Sequence, residues 1–251
     1  EDDELVNVLL TTGQEELIQG ILSGQDCLGI MPTGGGKSVC YQLPALVLEG
    51  LTLVVSPLIS LMKDQVDALN EIGIPATYIN STLTYREIKA RLGQAARGEV
   101  KLLYVAPERM ESSDFIELTN HVSVDLIAID EAHCISQWGH DFRPSYLNLA
   151  NMLNNFYPRP TIVALTATAT PEVAQDICQL LSIPENHQIK TGFARDNLSF
   201  QVIKDQKDVY LLEYLKVNQG QSGIIYASTR KEVERIYRLI EHSGFSAGMY
   251  H

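Results

Sequence analysis

A glycine-rich segment ends in a lysine and a serine, the residue types that hold a phosphate in nucleotide-binding proteins: Met31-Pro32-Thr33-Gly34-Gly35-Gly36-Lys37-Ser38. Glycines let backbone N–H groups converge on a phosphate, and a following helix N-terminus adds a positive dipole end. We expect Lys37 to reach the β- and γ-phosphates and Ser38 to ligate Mg²⁺. The other expected nucleotide contacts are Thr33, Gly34, Gly35 and Gly36. The segment predicts the phosphate-binding loop of an NTPase, although Met31 replaces the glycine of the strict motif.

Two adjacent carboxylates, Asp130 and Glu131, follow the apolar run Val124–Ile129. A carboxylate at the end of a buried strand near a phosphate loop is the usual partner of Mg²⁺. We expect Asp130 to hold the metal through a water molecule and Glu131 to accept a proton from the attacking water or to orient it. The alternative is an acidic helix N-cap, which the nearby phosphate loop makes the weaker interpretation.

Hydroxyl side chains follow another apolar run, at Thr166 and Thr168. We expect them to hydrogen-bond the acidic segment and to relay the state of the nucleotide. The alternative is an ordinary turn in which the hydroxyls bond only to the local backbone.

Aromatic and arginine side chains are concentrated just after the acidic segment, at Trp138, Phe142 and Arg143. Gly139 and Pro144 disfavour helix, so we expect these side chains on an exposed loop. Such side chains suit base stacking, which is worth about 1–3 kcal/mol per base. The alternative for Trp138 is that it packs in the core, as large aromatic residues often do.

Strands and helices alternate along most of the chain and would position these residues. Apolar runs predict strands at 27–31, 51–56, 76–79, 100–105, 124–129 and 161–165, and helical patterns occur at 1–10, 12–22, 39–48, 58–72, 85–96 and 171–181. Thr12 and Glu15 are expected to form a capping box. Continuously apolar strands between helices predict an α/β fold, a parallel sheet covered on both faces, with ligands at the carboxyl ends of the strands.

The pattern weakens around 195–206, which we interpret as a linker. Beyond it, helices at 209–215 and 231–242 and a strand at 223–226 resemble the start of a second α/β domain. We therefore predict two domains, 1–197 and 198–251, the second incomplete.

The composition is that of a globular protein, with 45% hydrophobic and 20% charged residues. The acidic N-terminus and the lack of a long apolar run favour a cytoplasmic protein that does not enter membranes. The four cysteines form no CxxC or CxxH pair, so neither zinc nor a disulfide framework is predicted. The net charge of −12, taken alone, argues against a protein that binds nucleic acid. A local strip of Lys and Arg can nevertheless bind phosphates on an acidic protein.

The order of these motifs resembles superfamily 2 helicases of the DEAH-box type, and the residues after His133 resemble the RecQ DNA helicases. The motifs that carry the resemblance are 31–38, 55–65, 104–109, 130–133, 134–146 and 166–170. The resemblance implies a RecA-like P-loop NTPase lobe plus part of a second RecA-like lobe. It also implies ATP and Mg²⁺ as cofactors and 3′–5′ movement on single-stranded DNA, with unwinding in DNA repair and recombination.

The resemblance also implies roles for individual residues. Gln14 would read adenine, Lys37, Asp130, Glu131 and His133 would form the catalytic set, and His133 would link the acidic motif to the aromatic loop. DNA contact or coupling would fall to Pro57, Lys63, Glu108, Arg109, Gln137, Trp138, Phe142, Arg143, Thr166 and Thr168. Simpler alternatives are a solvated charge for Lys63 and a surface ion pair for Arg109.

Two departures from the family pattern affect these expectations. Family members carry an aromatic residue and an arginine shortly before Gln14, whereas 9–13 has neither. We hypothesise that a loop is missing between Thr11 and Thr12; otherwise adenine stacking is weakened. The arginine finger, zinc-binding cysteines and winged helix of the family have no counterpart, so residues 1–251 alone are expected to bind ATP without turnover.

The expected partners are single-stranded and partially duplex DNA, with single-strand-binding or repair proteins, and the expected form is a monomer near the bacterial nucleoid. Two alternative functions remain. One is an RNA-directed DEAH-type motor, which the aromatic loop disfavours. The other is a nucleotide-dependent clamp that binds DNA without unwinding it.

Overall fold

The computed structural model describes residues 10–139, 141–153, 156–192, 198–204 and 206–250. The chain divides into two compact units, Glu1–Ala194 and Arg195–His251. The helix predicted at 1–10 lies outside the described residues, apart from Leu10. No helix among the described residues is both long and apolar enough to cross a membrane.

The first unit is built on a sheet of seven strands whose neighbours all run parallel. In chain order the strands are β1 (Cys27–Ile30), β2 (Leu51–Val55), β3 (Ala76–Ile79), β4 (Leu102–Val105), β5 (Val124–Ile129), β6 (Thr161–Thr166) and β7 (Gln188–Lys190). Their order across the sheet is β3-β4-β2-β5-β6-β1-β7. The predicted α/β class with a parallel sheet is therefore confirmed.

Helices connect the strands of this unit. They are α1 (Thr12–Leu22), α2 (Val39–Val47), α3 (Ile59–Glu71), α4 (Tyr85–Ala96), α5 (Ser113–His121), α6 (Pro144–Leu153) and α7 (Pro171–Leu181). Alternate residues of a strand enter different cores: Leu53 and Val55 join one buried cluster, and Val54 joins the other. Because successive strand side chains point to opposite faces, the two clusters cover both faces of the sheet.

The strand order determines which segments meet at the carboxyl edge of the sheet. The glycine-rich loop after β1 lies next to the end of β6, followed by the ends of β5, β2 and β4. The glycine-rich, acidic and threonine segments are thus neighbours, and the segments after β2 and β4 continue the same edge. Ligands of parallel sheets bind at this edge.

Some local predictions were wrong or incomplete. Thr11, not Thr12, is the N-cap of α1, and Gln14 rather than Glu15 returns a hydrogen bond to the cap. Pro144 was interpreted only as a helix breaker, but it is the first residue of α6, a position where proline costs no hydrogen bond. The helix α5 and the short strand β7 were not predicted.

The second unit contains two helices among its described residues, α8 (Lys207–Val217) and α9 (Arg230–His242). The strand predicted at 223–226 is wrong: these residues form no strand, and Ile224 and Tyr226 are 80% and 90% exposed. An apolar segment becomes a strand only when another strand pairs with it. No such partner lies among the described residues of this unit.

Candidate nucleotide and nucleic-acid site

The glycine-rich loop adopts a backbone that only glycine takes without strain. Gly34 and Gly36 have φ angles of 77° and 70°. A Cβ on Gly36 would lie 2.2 Å from the Nε2 atom of Gln14. The N–H of Gly35 donates to the carbonyl oxygen of Pro32 at 2.9 Å, which closes the turn. The loop is therefore a tight cradle with no room for side chains on its inner side.

Lys37 lies across this loop. Its Nζ donates to the carbonyl oxygens of Met31 and Pro32 at 3.3 and 3.4 Å. Thr33 and Gly34, at the tip, are exposed. Because the two lysine contacts are long, they are weak bonds that a phosphate oxygen can replace.

Gln14 is buried against the loop, with only 6% of its surface exposed. Its Nε2 donates to the carbonyl oxygens of Gly35 and Gly36 at 3.1 and 3.3 Å. Its Oε1 accepts from the N–H of Thr11 at 2.8 Å. Both ends of the amide are thus bonded to protein, so Gln14 shapes the loop in addition to the adenine contact predicted for it.

Ser38 directly precedes α2, and its hydroxyl oxygen accepts a hydrogen bond from Gln65 Nε2 at 3.0 Å. Gln65 is on α3 and was not predicted as a site residue. The sequence signal was weak, because a single glutamine in an amphipathic helix normally faces solvent. Only the packing of α3 beside α2 reveals its contact.

Asp130 ends β5 as a mostly buried carboxylate. Its pKa is raised from 3.8 to about 6, chiefly by burial and also by the charge of Glu131, whereas the Glu131 N–H and Lys37 oppose the shift. Glu131 has a φ of 49°, a left-handed conformation that non-glycine residues rarely adopt. Tyr146 of α6 donates to the carbonyl oxygen of Asp130 at 3.1 Å, which holds this turn in place.

His133 joins the acidic segment to the threonine segment. Its Nδ1 lies 2.9 Å from Thr166 Oγ1 and 3.3 Å from Glu131 Oε2. The Thr166 hydroxyl also bonds to the backbone of Thr168, which is itself exposed. The Met31 N–H donates to the Thr166 carbonyl oxygen at 3.0 Å. The hydrogen bonds that Thr166 makes with Met31 and His133, together with the 3.3 Å contact of His133 with Glu131, therefore connect the glycine-rich loop, the threonines and the acidic residues.

The aromatic loop lies after this cluster. Trp138 is 79% exposed, so the alternative in which it packs in the core is wrong. Gln137 is exposed and Phe142 is half-buried. Arg143 donates to Asp141 Oδ2 at 2.9 Å and to the carbonyl oxygen of Pro57 at 3.3 Å. The loop thus presents its tryptophan to solvent while Arg143 connects it to the segment after β2.

The remaining predicted residues lie near the ends of β2 and β4. Lys63, on α3, and Glu108 are exposed. Arg109 is half-buried, and its Nε is fully buried without a hydrogen-bond partner within the described part of the chain. An unsatisfied donor of this kind costs about 1–3 kcal/mol. Because this Nε is closed off from solvent, any contact of Arg109 with an anion falls to its other guanidinium nitrogens.

The donor set fits a nucleotide with a divalent cation. The backbone cradle at 34–36 and Lys37 are donors for phosphate oxygens, and Ser38 and Asp130 are the hard oxygen ligands that Mg²⁺ prefers. A bound cation would also favour the ionised form of Asp130, whose buried charge is otherwise unfavourable.

Comparison with known proteins agrees with this geometry. A family model described as DEAD/DEAH box helicase matches residues 11–177. The ATP-dependent DNA helicase RecQ of Bacillus subtilis (strain 168) is 53% identical over 96% of this chain and 41% of its own length. RecQ of Pasteurella multocida (strain Pm70) is 48% identical over 95% of the chain and 38% of its own length. The chain spans about two fifths of these relatives.

Solved structures show the same fold at low identity. The helicase MrfA, in a crystal structure bound to DNA, has a TM-score of 0.69 and 19% identity over 93% of this chain and 36% of its own. The Mycobacterium smegmatis helicase Lhr has a TM-score of 0.64 and 20% identity, covering 96% of this chain and 36% of Lhr. The predicted resemblance to RecQ helicases is confirmed by the sequence comparisons, and the chain belongs to the DEAD/DEAH box helicase family.

Proposed function

We propose that this chain provides the ATP-binding lobe of an ATP-dependent 3′–5′ DNA helicase, which couples ATP hydrolysis to movement on single-stranded DNA and to unwinding. One observation carries the proposal. At one edge of the sheet, hydrogen bonds through Thr166 and the contact of His133 with Glu131 connect the glycine-rich loop to the acidic pair Asp130 and Glu131, and the exposed Trp138 follows on the same segment. The relatives named RecQ at 53% and 48% identity support DNA as the substrate.

The residues divide the work of phosphoryl transfer among them. Lys37 and the glycine N–H groups neutralise phosphate charge, and Ser38 and Asp130 would hold Mg²⁺, which would supply further neutralisation of that charge. Glu131 accepts a proton from the attacking water. The left-handed backbone at Glu131 is strain of the kind that concentrates at active sites. His133 and Thr166 couple ATP hydrolysis at this cluster to the position of the aromatic loop.

The DNA strand is proposed to run along the ends of β2 and β4. The half-buried Arg109 and the exposed Lys63 neutralise backbone phosphates, while Pro57 and Glu108 shape the same surface. Trp138 stacks on a base, assisted by Gln137 and Phe142. Arg143 couples this contact to the rest of the lobe through its hydrogen bond to Pro57. Because the net charge of the chain is negative, DNA is repelled by most of its surface and binding is restricted to this part.

ATP hydrolysis by the full-length protein tests the proposal when it is measured with single-stranded DNA and with RNA of the same sequence. We expect DNA to stimulate hydrolysis strongly and RNA to stimulate it little. Stimulation by RNA alone would overturn the proposed substrate and support an RNA-directed motor.

Strand separation distinguishes a motor from a clamp. We expect the protein to unwind a duplex with a 3′ single-stranded tail and to leave a duplex with a 5′ tail intact. DNA-dependent nucleotide turnover without unwinding of either substrate would support the clamp. As part of the same proposal, the protein acts as a monomer at the nucleoid, in repair and recombination with single-strand-binding or repair proteins.

A further inference from the structure

A cluster of polar side chains lies beneath the glycine-rich loop and joins α3 to α2. Its centre is the Gln65 side chain, and its other members are Tyr41, Gln42 and Tyr104. Tyr41 and Tyr104 are almost fully buried and meet edge to face with ring centroids 6.4 Å apart. None of these residues has a role in the function proposed above.

The cluster fixes the orientation of the Gln65 amide. Its Oε1 accepts from Gln42 Nε2 at 3.1 Å, from Tyr104 at 3.2 Å and from Tyr41 at 3.4 Å. A phenol is protonated at neutral pH, so both hydroxyl groups can donate. With donors converging on Oε1, the Nε2 group must point the other way, and there it donates to Ser38 Oγ at 3.0 Å.

This bond occupies one lone pair of the Ser38 hydroxyl. A hydroxyl has two acceptor lone pairs and one hydrogen, so fixing one lone pair also restricts where the second can point. A metal ligand held by a neighbouring hydrogen bond binds its ion more tightly than a free one, because outer-shell partners orient the ligand. Gln65 is therefore in the position to orient Ser38.

The helix that carries Gln65 begins at the segment contacted by the aromatic loop. Arg143 donates to the carbonyl oxygen of Pro57, two residues before α3. Met62, Val66 and Leu69 pack the inner face of α3 into the core on both sides of Gln65. A displacement at Pro57 would thus move Gln65 relative to Ser38 on α2.

We propose that Gln65 is a positioning residue that orients the Ser38 hydroxyl and, through α3, makes that orientation depend on the aromatic loop. The proposal rests on the proposed function, since it assigns to α3 the connection between DNA contact and the nucleotide site. It adds a second connection to the one that runs through His133 and Thr166.

The test is Gln65→Met, which keeps the length of the side chain and removes both hydrogen-bonding groups. We expect ADP affinity without metal to change by less than about twofold, and the gain in affinity on adding Mg²⁺ to fall about tenfold. Stimulation of ATP hydrolysis by DNA should fall by a similar factor. A residue that only supports the fold would alter affinity with and without Mg²⁺ equally.

Two further variants keep the test decisive. Tyr104→Phe removes one donor to the Gln65 oxygen but leaves the bond to Ser38, so we expect a lower melting temperature with an unchanged Mg²⁺ effect. If Gln65→Met does not fold, Gln65→Asn retains the buried amide but draws it away from Ser38, and the same loss is expected.

The outcomes separate this inference from the proposed function. Suppose that DNA stimulates hydrolysis in the unmodified protein, and that Gln65→Met keeps both the Mg²⁺ effect on affinity and the DNA stimulation. That result would overturn the inference but not the proposed function. Absence of DNA stimulation in the unmodified protein would overturn the proposed function, whereas the Mg²⁺-dependent affinity of the variant would still report on the contact with Ser38.

Discussion

The glycine-rich loop and the aromatic loop lie at the same edge of one sheet but are stabilised in different ways. In the former, Gln14 and Lys37 bond to backbone carbonyl oxygens of the loop itself. In the latter, Trp138 is 79% exposed and Arg143 is bonded to Asp141 and to Pro57 of another segment. The first loop is held by contacts within itself, whereas the second leaves Trp138, the residue proposed to stack on DNA, exposed to solvent.

This contrast makes different predictions for substitutions in the two loops. Changes in the glycine-rich loop should affect nucleotide binding, turnover and, through its tight packing, stability. Changes in the aromatic loop should affect the response to DNA and leave stability nearly unchanged. The following substitutions test this difference, beginning with the largest effect.

Lys37→Ala should lower kcat for ATP hydrolysis by about 10²–10³-fold, because it removes a charge directed at the developing phosphate charge. Steady-state kinetics with saturating DNA measures this. Lys101→Ala is the matched control, since Lys101 also bonds to a backbone carbonyl oxygen, that of Leu48, but far from the loop. Near-normal turnover in Lys37→Ala would contradict the assigned role.

Gly36→Ala should destabilise the protein by about 2–3 kcal/mol and weaken nucleotide binding, because it adds left-handed strain and a contact with Gln14. Urea unfolding measures the stability. Gly24→Ala is the control, because Gly24 has a φ of 74° but no atom within 4 Å of an added Cβ. Equal losses in both variants would mean that the cradle itself is not crowded.

Asp130→Asn should stabilise the protein without nucleotide by about 2 kcal/mol at pH 7 while abolishing turnover. The raised pKa of Asp130 means that the folded state binds a proton more tightly than the unfolded state. Stability contributed by the neutral carboxyl is therefore lost as the pH rises from about 4 to about 6.

Urea unfolding at several pH values measures this loss, which Asp130→Asn should remove from the profile. The exposed Asp64 provides the control substitution Asp64→Asn, for which no gain is expected. A less stable Asp130→Asn variant at pH 7 would contradict the interpretation.

Trp138→Ala should weaken single-stranded DNA binding and DNA stimulation by about tenfold, in line with about 1–3 kcal/mol per stacked base. Its melting temperature and nucleotide affinity should stay the same because the side chain is exposed. Fluorescence anisotropy of labelled DNA measures binding. Tyr157→Ala, at a fully exposed aromatic outside the loop, should have no effect. A large loss of stability in Trp138→Ala would remove the contrast between the two loops.

Much of the first unit could be predicted from the sequence because most of its strands are predominantly apolar. The strands Ala76–Ile79 and Val124–Ile129 were predicted to the residue. The neighbouring arrangement of Lys37, Asp130 and Thr166 followed from the rule that ligands bind at strand carboxyl ends. The exposure of Trp138 could not be decided, since aromatic residues occur both in cores and on binding loops.

The contacts of Gln14 and Gln65 could not be predicted, because they depend on how α1 and α3 pack beside the glycine-rich loop. The helix beginning at Pro144 was missed because proline disfavours helix interiors but suits a first turn. The strand predicted at 223–226 failed for another reason. Its apolar residues have a high propensity for strand, but a strand forms only where a neighbouring strand pairs with it. The sequence of one segment does not show whether such a neighbour exists.

The position of β1 in the sheet has a consequence for biosynthesis. Cys27 pairs with Val163 and Leu28 pairs with Gln188, so the strand that carries the glycine-rich loop has both of its neighbours near the far end of the unit. Contacts between such distant segments form late in folding, and in a growing chain they must wait for translation. The glycine-rich loop can therefore reach its final structure only after β6 and β7 have left the ribosome. Binding of nucleotide by the nascent chain would then show that β1 has paired with both neighbours.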